Sequence, residues 1–145
     1  MTLSRRQLAL GLTGLPMLGA AAPALANTKP LTFVFVEADD CEPCKRWHSN
    51  EGHWWKSSAE YQRVNTVFVR ARRLRNALDD KVWPVHLRRH RDAAPPKGIP
   101  AYYVLRHEEL VLSTAGYTAW RREVYPALRE MVAVADAVRG LQAKS

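Results

Sequence analysis

Residues 31–48 read LTFVFVEADDCEPCKRWH and contain both cysteines of the 145-residue chain. The β-branched and aromatic run at residues 31–36 predicts a buried strand. No glycine or proline interrupts the residues that follow Cys44, so we expect a helix over residues 44–50. Cys41 then lies where the strand turns into the helix. The unpaired N–H groups and the dipole at a helix N-terminus favour the thiolate form of a cysteine placed there.

The two cysteines are the candidate catalytic residues. We expect Cys41 to be partly exposed and to act as the nucleophile, and Cys44, one turn into the helix, to act as the resolving thiol. The predicted reaction is thiol–disulfide exchange, and no cofactor is expected for it. A Cys41–Cys44 disulfide closes too short a loop to remove much chain entropy, so a redox role is favoured over a structural one. The direction of exchange depends on the reduction potential and on the recycling partner, so an oxidising role stays open.

A metal site is the main alternative interpretation of the same residues. Cys41, Cys44, His48 and His53 offer enough sulfur and nitrogen ligands for tetrahedral zinc or for copper. His48 is four residues after Cys44 and therefore one turn away on the same helix face. A periplasmic copper or zinc chaperone would then use Cys41, Cys44 and His48. A third interpretation is a redox-inert interaction protein with a permanent disulfide.

Residues 1–26 have the pattern of an export signal. Arg5 and Arg6 precede an uncharged apolar run, and the small-x-small triplet that ends at Ala26 predicts cleavage there. The arginine pair resembles the twin-arginine export motif, and a Sec signal also carries such pairs, so both routes stay open. Removal of the signal leaves residues 27–145, the size of one domain. We expect this domain in the periplasm without a stable membrane anchor.

The chain is basic, with a formal net charge of +8. The excess is clustered between Arg70 and Arg75 and again between Arg88 and Arg91. Such clusters occur in proteins that bind nucleic acid, but an exported protein is not expected to meet it. We therefore predict no nucleic-acid partner. The clusters are interpreted as a solvated face or as a docking surface for an acidic partner.

Strands and helices alternate along the rest of the chain. Gly52 is expected to end or bend the first helix, and Pro126 to kink the last helix or delay its start. The predicted elements after Gly52 are a helical turn at 58–63, a strand at 66–69, a helix around 72–78, a hairpin of strands 101–105 and 110–113, and a helix over 120–138. This order predicts an α/β fold with a central mixed sheet and helices on both faces.

The element order, with Cys-Glu-Pro-Cys after the first strand and Gly98-Ile99-Pro100 before the hairpin, resembles the thioredoxin fold. The resemblance implies a cis Ile99–Pro100 bond in a loop that lies against the cysteine pair and binds substrate backbone. It thereby implies that Glu42, Pro43, Ile99 and Pro100 are the substrate-binding residues. Pro43 and Ile99 resemble the reducing branch of the family, which favours disulfide reduction.

A narrower resemblance is to the SoxS-type periplasmic thioredoxins of bacterial sulfur-oxidation systems. It rests on Val36-Glu37, the Cys-x-x-Cys-x-x-Trp-His pattern that ends at His48, Gly52 and Gly116-Tyr117. This resemblance implies a protein that reduces disulfides on exported partners, including the swinging-arm cysteine of a thiosulfate-oxidising carrier. A membrane or periplasmic thiol donor would recycle it.

Two residues depart from the pattern of thioredoxins proper. Phe35 stands where that family buries an aspartate that handles the proton of the second thiol, and Glu42 replaces the usual glycine of the turn. Glu37 is two residues after Phe35 and so lies on the same face of the strand. We expect Glu37 to be buried near an apolar sheet and to take over the proton transfer, as a third catalytic residue.

The cleavage site gives a direct test of the predicted export signal. Mature protein should begin at Asn27, because Ala26 ends the small-x-small triplet that a signal peptidase recognises. N-terminal sequencing of protein recovered from the exported fraction measures this. A sequence that begins before Ala22 would contradict the predicted site.

Overall fold

The computed structural model describes residues 29–144. The predicted signal peptide and its cleavage site lie outside the described residues. A four-stranded sheet has the strand order β2-β1-β3-β4. Strand β1 pairs with β2 in parallel and with β3 antiparallel, and β3 pairs with β4 antiparallel. The predicted mixed sheet is therefore confirmed. The strands are β1 Leu31–Ala38, β2 Val64–Ala71, β3 Ala101–Arg106 and β4 Glu109–Ala115.

Helices pack on both faces of the sheet. On one face, Trp47, Trp55 and Leu128 bring α1, α2 and α5 against the strands, and on the other face Leu87 brings α4. This arrangement confirms the predicted placement of helices. Within residues 29–144, no helix combines the length and apolar character needed to cross a membrane. The helices are α1 Glu42–Trp47, α2 His53–Ser57, α3 Ala59–Arg63, α4 Val85–Ala93 and α5 Tyr125–Gln142.

An aromatic cluster fills the core on the α1, α2 and α5 face. The Trp120 ring lies at its centre, with its centroid 5.4 Å from that of Phe33, 5.1 Å from Trp47 and 5.3 Å from Trp55. Trp47 and Trp55 are fully buried. Trp54 is partly buried and packs against Tyr125, with ring centroids 4.6 Å apart. Large buried rings of this kind dominate the energetics of a small core.

The sequence predicts that Gly52 ends or bends the helix; the helical backbone continues past it, so the first of these two alternatives is wrong. A π-helical turn at His48–Gly52 joins α1 to α2. A Cβ atom at Gly52 would lie 3.3 Å from Cζ3 of Trp47, a tight contact in a packed core. Glycine therefore permits a close approach to the Trp47 ring at this position. Continuation of the helical backbone carries Trp55 into the aromatic core.

The segment between β2 and α4 differs from the prediction. The expected helix around residues 72–78 is reduced to a single 3₁₀ turn at Leu74–Asn76. Leu74 and Leu78, which would give such a helix an apolar face, are 44% and 45% exposed. Without burial of that face, tertiary packing does not stabilise a longer helix. Helix α4, which the sequence pattern did not predict, begins directly after Pro84.

The C-terminal third agrees with the predicted hairpin and helix. His107 and Glu108 form a two-residue turn between β3 and β4, and both have positive φ angles, 48° and 67°. Arg106, at the end of β3, pairs with Leu31 at the start of β1. A π-helical turn at Trp120–Val124 precedes α5, so the regular α-helix starts late, next to Pro126, as predicted.

Candidate functional site

The two cysteines form a disulfide at the carboxyl end of β1. Cys41 is the N-cap residue of α1, and its Sγ accepts a hydrogen bond of 3.2 Å from the backbone N of Cys44. The two Cα atoms are 5.2 Å apart. The strand-to-helix junction therefore places the Cys41 sulfur at the helix N-terminus, where backbone N–H groups stabilise negative charge.

Both cysteines are buried in this oxidised state, so the expected partial exposure of Cys41 is wrong. Cys41 and Cys44 are each 1% exposed. They pack in one cluster with Ala38, Ala71 and Ala77. Ala77 belongs to residues 72–83, the segment between β2 and α4, which we call the cover segment. The sulfurs are buried because the cover segment folds back over them.

Hydrogen bonds hold the cover segment in place. The backbone N of Leu74 donates to Oδ1 of Asp40 at 2.7 Å, and Nε1 of Trp83 donates to the carbonyl oxygen of Ala77 at 2.8 Å. Asp40 is next to Cys41 in the chain, so its carboxylate fixes the cover segment directly beside the disulfide. The Trp83 bond is buried, where a hydrogen bond is costly to break.

The Ile99–Pro100 loop borders the disulfide, as the resemblance implied. The peptide bond between these residues is cis, and Pro100 is buried. Ile99 is partly buried and packs against the cluster that contains both cysteines. Pro43 lies between the cysteines in the first turn of α1, whereas Glu42 is exposed with its carboxylate 3.7 Å from Nζ of Lys45. Their predicted contacts with substrate stay a prediction.

Glu37 is buried but has polar partners. It is 2% exposed, and its Oε1 accepts a 2.8 Å hydrogen bond from Nε of Arg70. Its Oε2 lies 2.5 Å from Nε2 of His48. The hydrogen bond with Glu37 raises the pKa of Arg70. The expected burial of Glu37 is therefore confirmed, but its carboxylate contacts two polar side chains and not only apolar ones. The carboxylate also lies on the opposite face of β1 from Ala38, which packs with the cysteines.

His48 contacts Glu37 in this structure. Its ring also packs near Phe35 and Phe68, with centroid distances of 5.6 and 5.8 Å. In the part of the chain that the structure describes, no group of three or more His, Cys, Asp or Glu side chains is close enough to hold a metal ion. The set of Cys41, Cys44 and His48 is thus not assembled here, and His53 is exposed on α2.

Glu51 is a buried charged residue for which the sequence analysis predicted no role. It is 1% exposed, accepts a 2.7 Å hydrogen bond from Nε of Arg121, and accepts another of 2.9 Å from Nε1 of Trp54. Glu51 and Arg121 come from the two π-helical turns, so their ion pair ties one turn to the other. The spacing of Trp47, Glu51 and Trp55 at intervals of four residues is the signal that would have placed Glu51 on the buried face.

Removal of the Asp40 anchor should make the disulfide easier to reduce. Asp40→Ala deletes the acceptor for Leu74, so the cover segment opens more often and dithiothreitol reduces the disulfide about tenfold faster. Asp40→Asn is the control, because it removes the same charge and keeps an acceptor oxygen. Its rate should rise much less. Equal rates for the two variants, measured by stopped-flow kinetics, would contradict the anchoring role of Asp40.

The comparisons with known proteins identify the fold. No protein-family model and no curated protein matches the sequence. The periplasmic thioredoxin SoxS from Paracoccus pantotrophus, solved in its reduced form, is 17% identical, with a TM-score of 0.52 over 72% of this chain and 98% of that chain. A Malassezia sympodialis thioredoxin is 10% identical, with a TM-score of 0.47 over 72% of this chain and 79% of that chain. The chain has the α/β thioredoxin-like fold.

Proposed function

We propose that this protein is an exported thiol–disulfide oxidoreductase that reduces disulfides on partner proteins. The observation that carries the proposal is the disulfide between its only two cysteines, at the N-terminus of α1 and beside the Ile99–Pro100 loop. A structural role explains this disulfide poorly, because the loop that it closes is very short. Reversible thiol–disulfide exchange, by contrast, requires two neighbouring cysteines such as these at the N-terminus of α1.

The reaction starts from the reduced protein. The Cys41 thiolate attacks one sulfur of the partner disulfide, the partner S–S bond breaks, and the released partner sulfur takes up a proton. The Cys44 thiol then loses its proton and attacks the Cys41 sulfur, so the mixed disulfide breaks and the second partner sulfur leaves as a thiolate. Two electrons pass to the partner. The protein is left with the Cys41–Cys44 disulfide, the state in this structure.

The strand-to-helix junction supports Cys41 as the attacking residue. In the oxidised protein the backbone N–H of Cys44 already donates to the Cys41 sulfur. The same N–H and the helix dipole would stabilise a thiolate at that position. Asp39 and Asp40 precede Cys41 and oppose this effect with negative charge. We therefore assign attack to Cys41 and release to Cys44.

We keep Glu37 in the proposal as the final acceptor of the Cys44 proton. Because its carboxylate lies on the opposite face of β1 from Ala38, the proton reaches it through His48 and not by direct contact with Cys44. Glu37 is buried, and its two oxygens are held by Arg70 and His48, which fix the carboxylate in one orientation. The side chain of His48 is 29% exposed, so it connects the buried carboxylate to solvent. His48 is thus the route by which a proton reaches Glu37 and leaves it again.

The export part of the proposal rests on the signal pattern of residues 1–26. The SoxS structure, with a TM-score of 0.52, is described as a periplasmic thioredoxin, which agrees with export. An oxidising compartment supplies the proposed substrates, because exported proteins carry disulfides there. A membrane or periplasmic thiol donor must then return the Cys41–Cys44 disulfide to the dithiol after each turnover.

The two cysteines should give different defects. Cys41→Ser should abolish disulfide reduction, because the attacking sulfur is lost. Cys44→Ala should still attack and should accumulate mixed disulfides, because nothing releases the partner. Non-reducing electrophoresis of partners captured in the exported fraction measures this difference, with the Cys41→Ser/Cys44→Ala double variant as the control. Absence of captured partners with Cys44→Ala, or equal capture by both single variants, would contradict the proposal.

Glu37→Gln tests the proposed proton acceptor. The variant keeps the size of the side chain, and release of the mixed disulfide at pH 7 should slow about 100-fold, the usual effect of losing a general base. The defect should shrink above ~8.5, the pKa of a free thiol, since Cys44 then loses its proton to solvent. Glu51→Gln is the matched control, because it alters another buried carboxylate that an arginine holds. Rapid-quench kinetics across this pH range would reject the role if both variants behaved alike.

A further inference from the structure

Basic side chains beside the disulfide lack acidic partners. Arg72, Arg73 and Arg75 are exposed on the cover segment. Their guanidinium groups form no hydrogen bond or ion pair with any residue between 29 and 144. Most other arginines near the two faces of the sheet are paired, as Arg70 is with Glu37 and Arg121 with Glu51. Three neighbouring unpaired cations are therefore free to bind an external anion.

Two of these arginines line a surface cavity of about 420 Å³. Its other walls are Lys45, Asp39 and Asp40. The Asp40 carboxylate accepts the hydrogen bond from Leu74, and Asp39 lies 3.9 Å from Nε of Arg70, so protein groups already engage both carboxylates. Of the three cations in the cavity wall, Lys45 lies 3.7 Å from Glu42, whereas Arg72 and Arg73 have no such partner among residues 29–144.

Most of the residues that line the cavity are next, along the chain, to the cysteines or to a residue that packs on them. Arg72 follows Ala71, which packs on the cysteines, Asp40 precedes Cys41, and Lys45 follows Cys44. A partner whose disulfide reaches Cys41 must therefore bring the residues next to that disulfide past this cavity. The side chains that flank the partner cysteine are the groups that can enter it.

We propose that this cavity binds a glutamate or aspartate that flanks the target disulfide, so that the protein selects partners with acidic residues beside the cysteine. The proposal rests on the proposed function. A planar guanidinium matches a carboxylate with two parallel hydrogen bonds, and the guanidinium groups of Arg72 and Arg73 have no hydrogen-bond or ion-pair partner among residues 29–144. Opposite charges across the encounter surface also accelerate association.

A carboxylate side chain fits this cavity better than a nucleic-acid backbone. Asp39 and Asp40 lie in its wall and would repel a continuous row of phosphates. A single carboxylate can contact Arg72 and Arg73 and still remain apart from these two aspartates. The mixed charge of the wall thus favours one acidic side chain over a polyanion.

The test uses three synthetic peptides that share one intramolecular disulfide and differ only in two flanking residues, which are Glu, Gln or Lys. The reduced wild-type protein should reduce the Glu peptide about tenfold faster than the Lys peptide at low salt, and the preference should shrink at high salt. Arg73→Glu should lower kcat/KM for the Glu peptide about fivefold and leave the Gln peptide unchanged. The unchanged Gln peptide shows that the variant is folded and active.

Arg106→Glu is the matched control, because it makes the same charge change at the opposite end of the sheet, where Arg106 pairs with Leu31. An equal loss in Arg73→Glu and Arg106→Glu would overturn the proposal in favour of a general charge effect. Equal wild-type rates for the three peptides would overturn it and leave the proposed function intact. Failure of the wild type to reduce any peptide would overturn both the carboxylate proposal and the proposed function.

A short single-stranded DNA tests the alternative ligand. If it inhibits reduction of the Gln peptide, and this inhibition is lost in Arg73→Glu but kept in Arg106→Glu, the cavity binds phosphate and the carboxylate proposal is overturned.

Discussion

The burial of strand β1 on both faces is the constraint on which the rest of the structure depends. Phe33 and Phe35 point into the aromatic core, while Val34 and Val36 point into the core beneath α4. A charged residue in such a strand must find partners, since a buried charge without them is very costly. Glu37 meets this requirement through two contacts that come from different elements, one from β2 and one from the π-helical turn. The strand therefore organises the polar neighbours of the site as well as its core.

The residues that pack around the disulfide limit the access of other thiols to its sulfur atoms. Both cysteines are 1% exposed and pack in one cluster with Ala77 of the cover segment. Asp40 contributes twice, because it anchors the cover segment at Leu74 and places a negative charge beside Cys41. We expect both effects to slow the reaction of the disulfide with small thiols. A partner that engages the arginines of the cover segment contacts the same segment whose Ala77 packs with the cysteines.

Local patterns predicted the frame of the fold, and long-range contacts decided the details of the site. The apolar run at residues 31–36 and the cysteine turn each carry their signal within a few residues, and their elements formed as predicted. The cis bond at Ile99–Pro100 is implied by the resemblance to the thioredoxin fold. The partnership of Glu37 with Arg70 joins residues 33 positions apart, which no local pattern encodes. The burial of Cys41 likewise depends on a segment whose expected helix did not form. The helix does not end at Gly52 because glycine is used there for its small size, which allows close packing against Trp47.

The turn at His107–Glu108 is a place where substitutions can raise the stability of the protein, far from the redox site. Both residues hold left-handed backbone conformations that cost a side chain about 1 kcal/mol or more each, whereas asparagine and glycine adopt them readily. The 3.6 Å contact of Glu108 with Arg89 is exposed and contributes little in return. This tip lies at the end of the sheet opposite to Cys41, because Arg106 aligns with the first residue of β1. An engineered Asn-Gly tip can therefore raise heat tolerance, or carry a dye or a surface linker, while the thiol chemistry at the other end continues undisturbed.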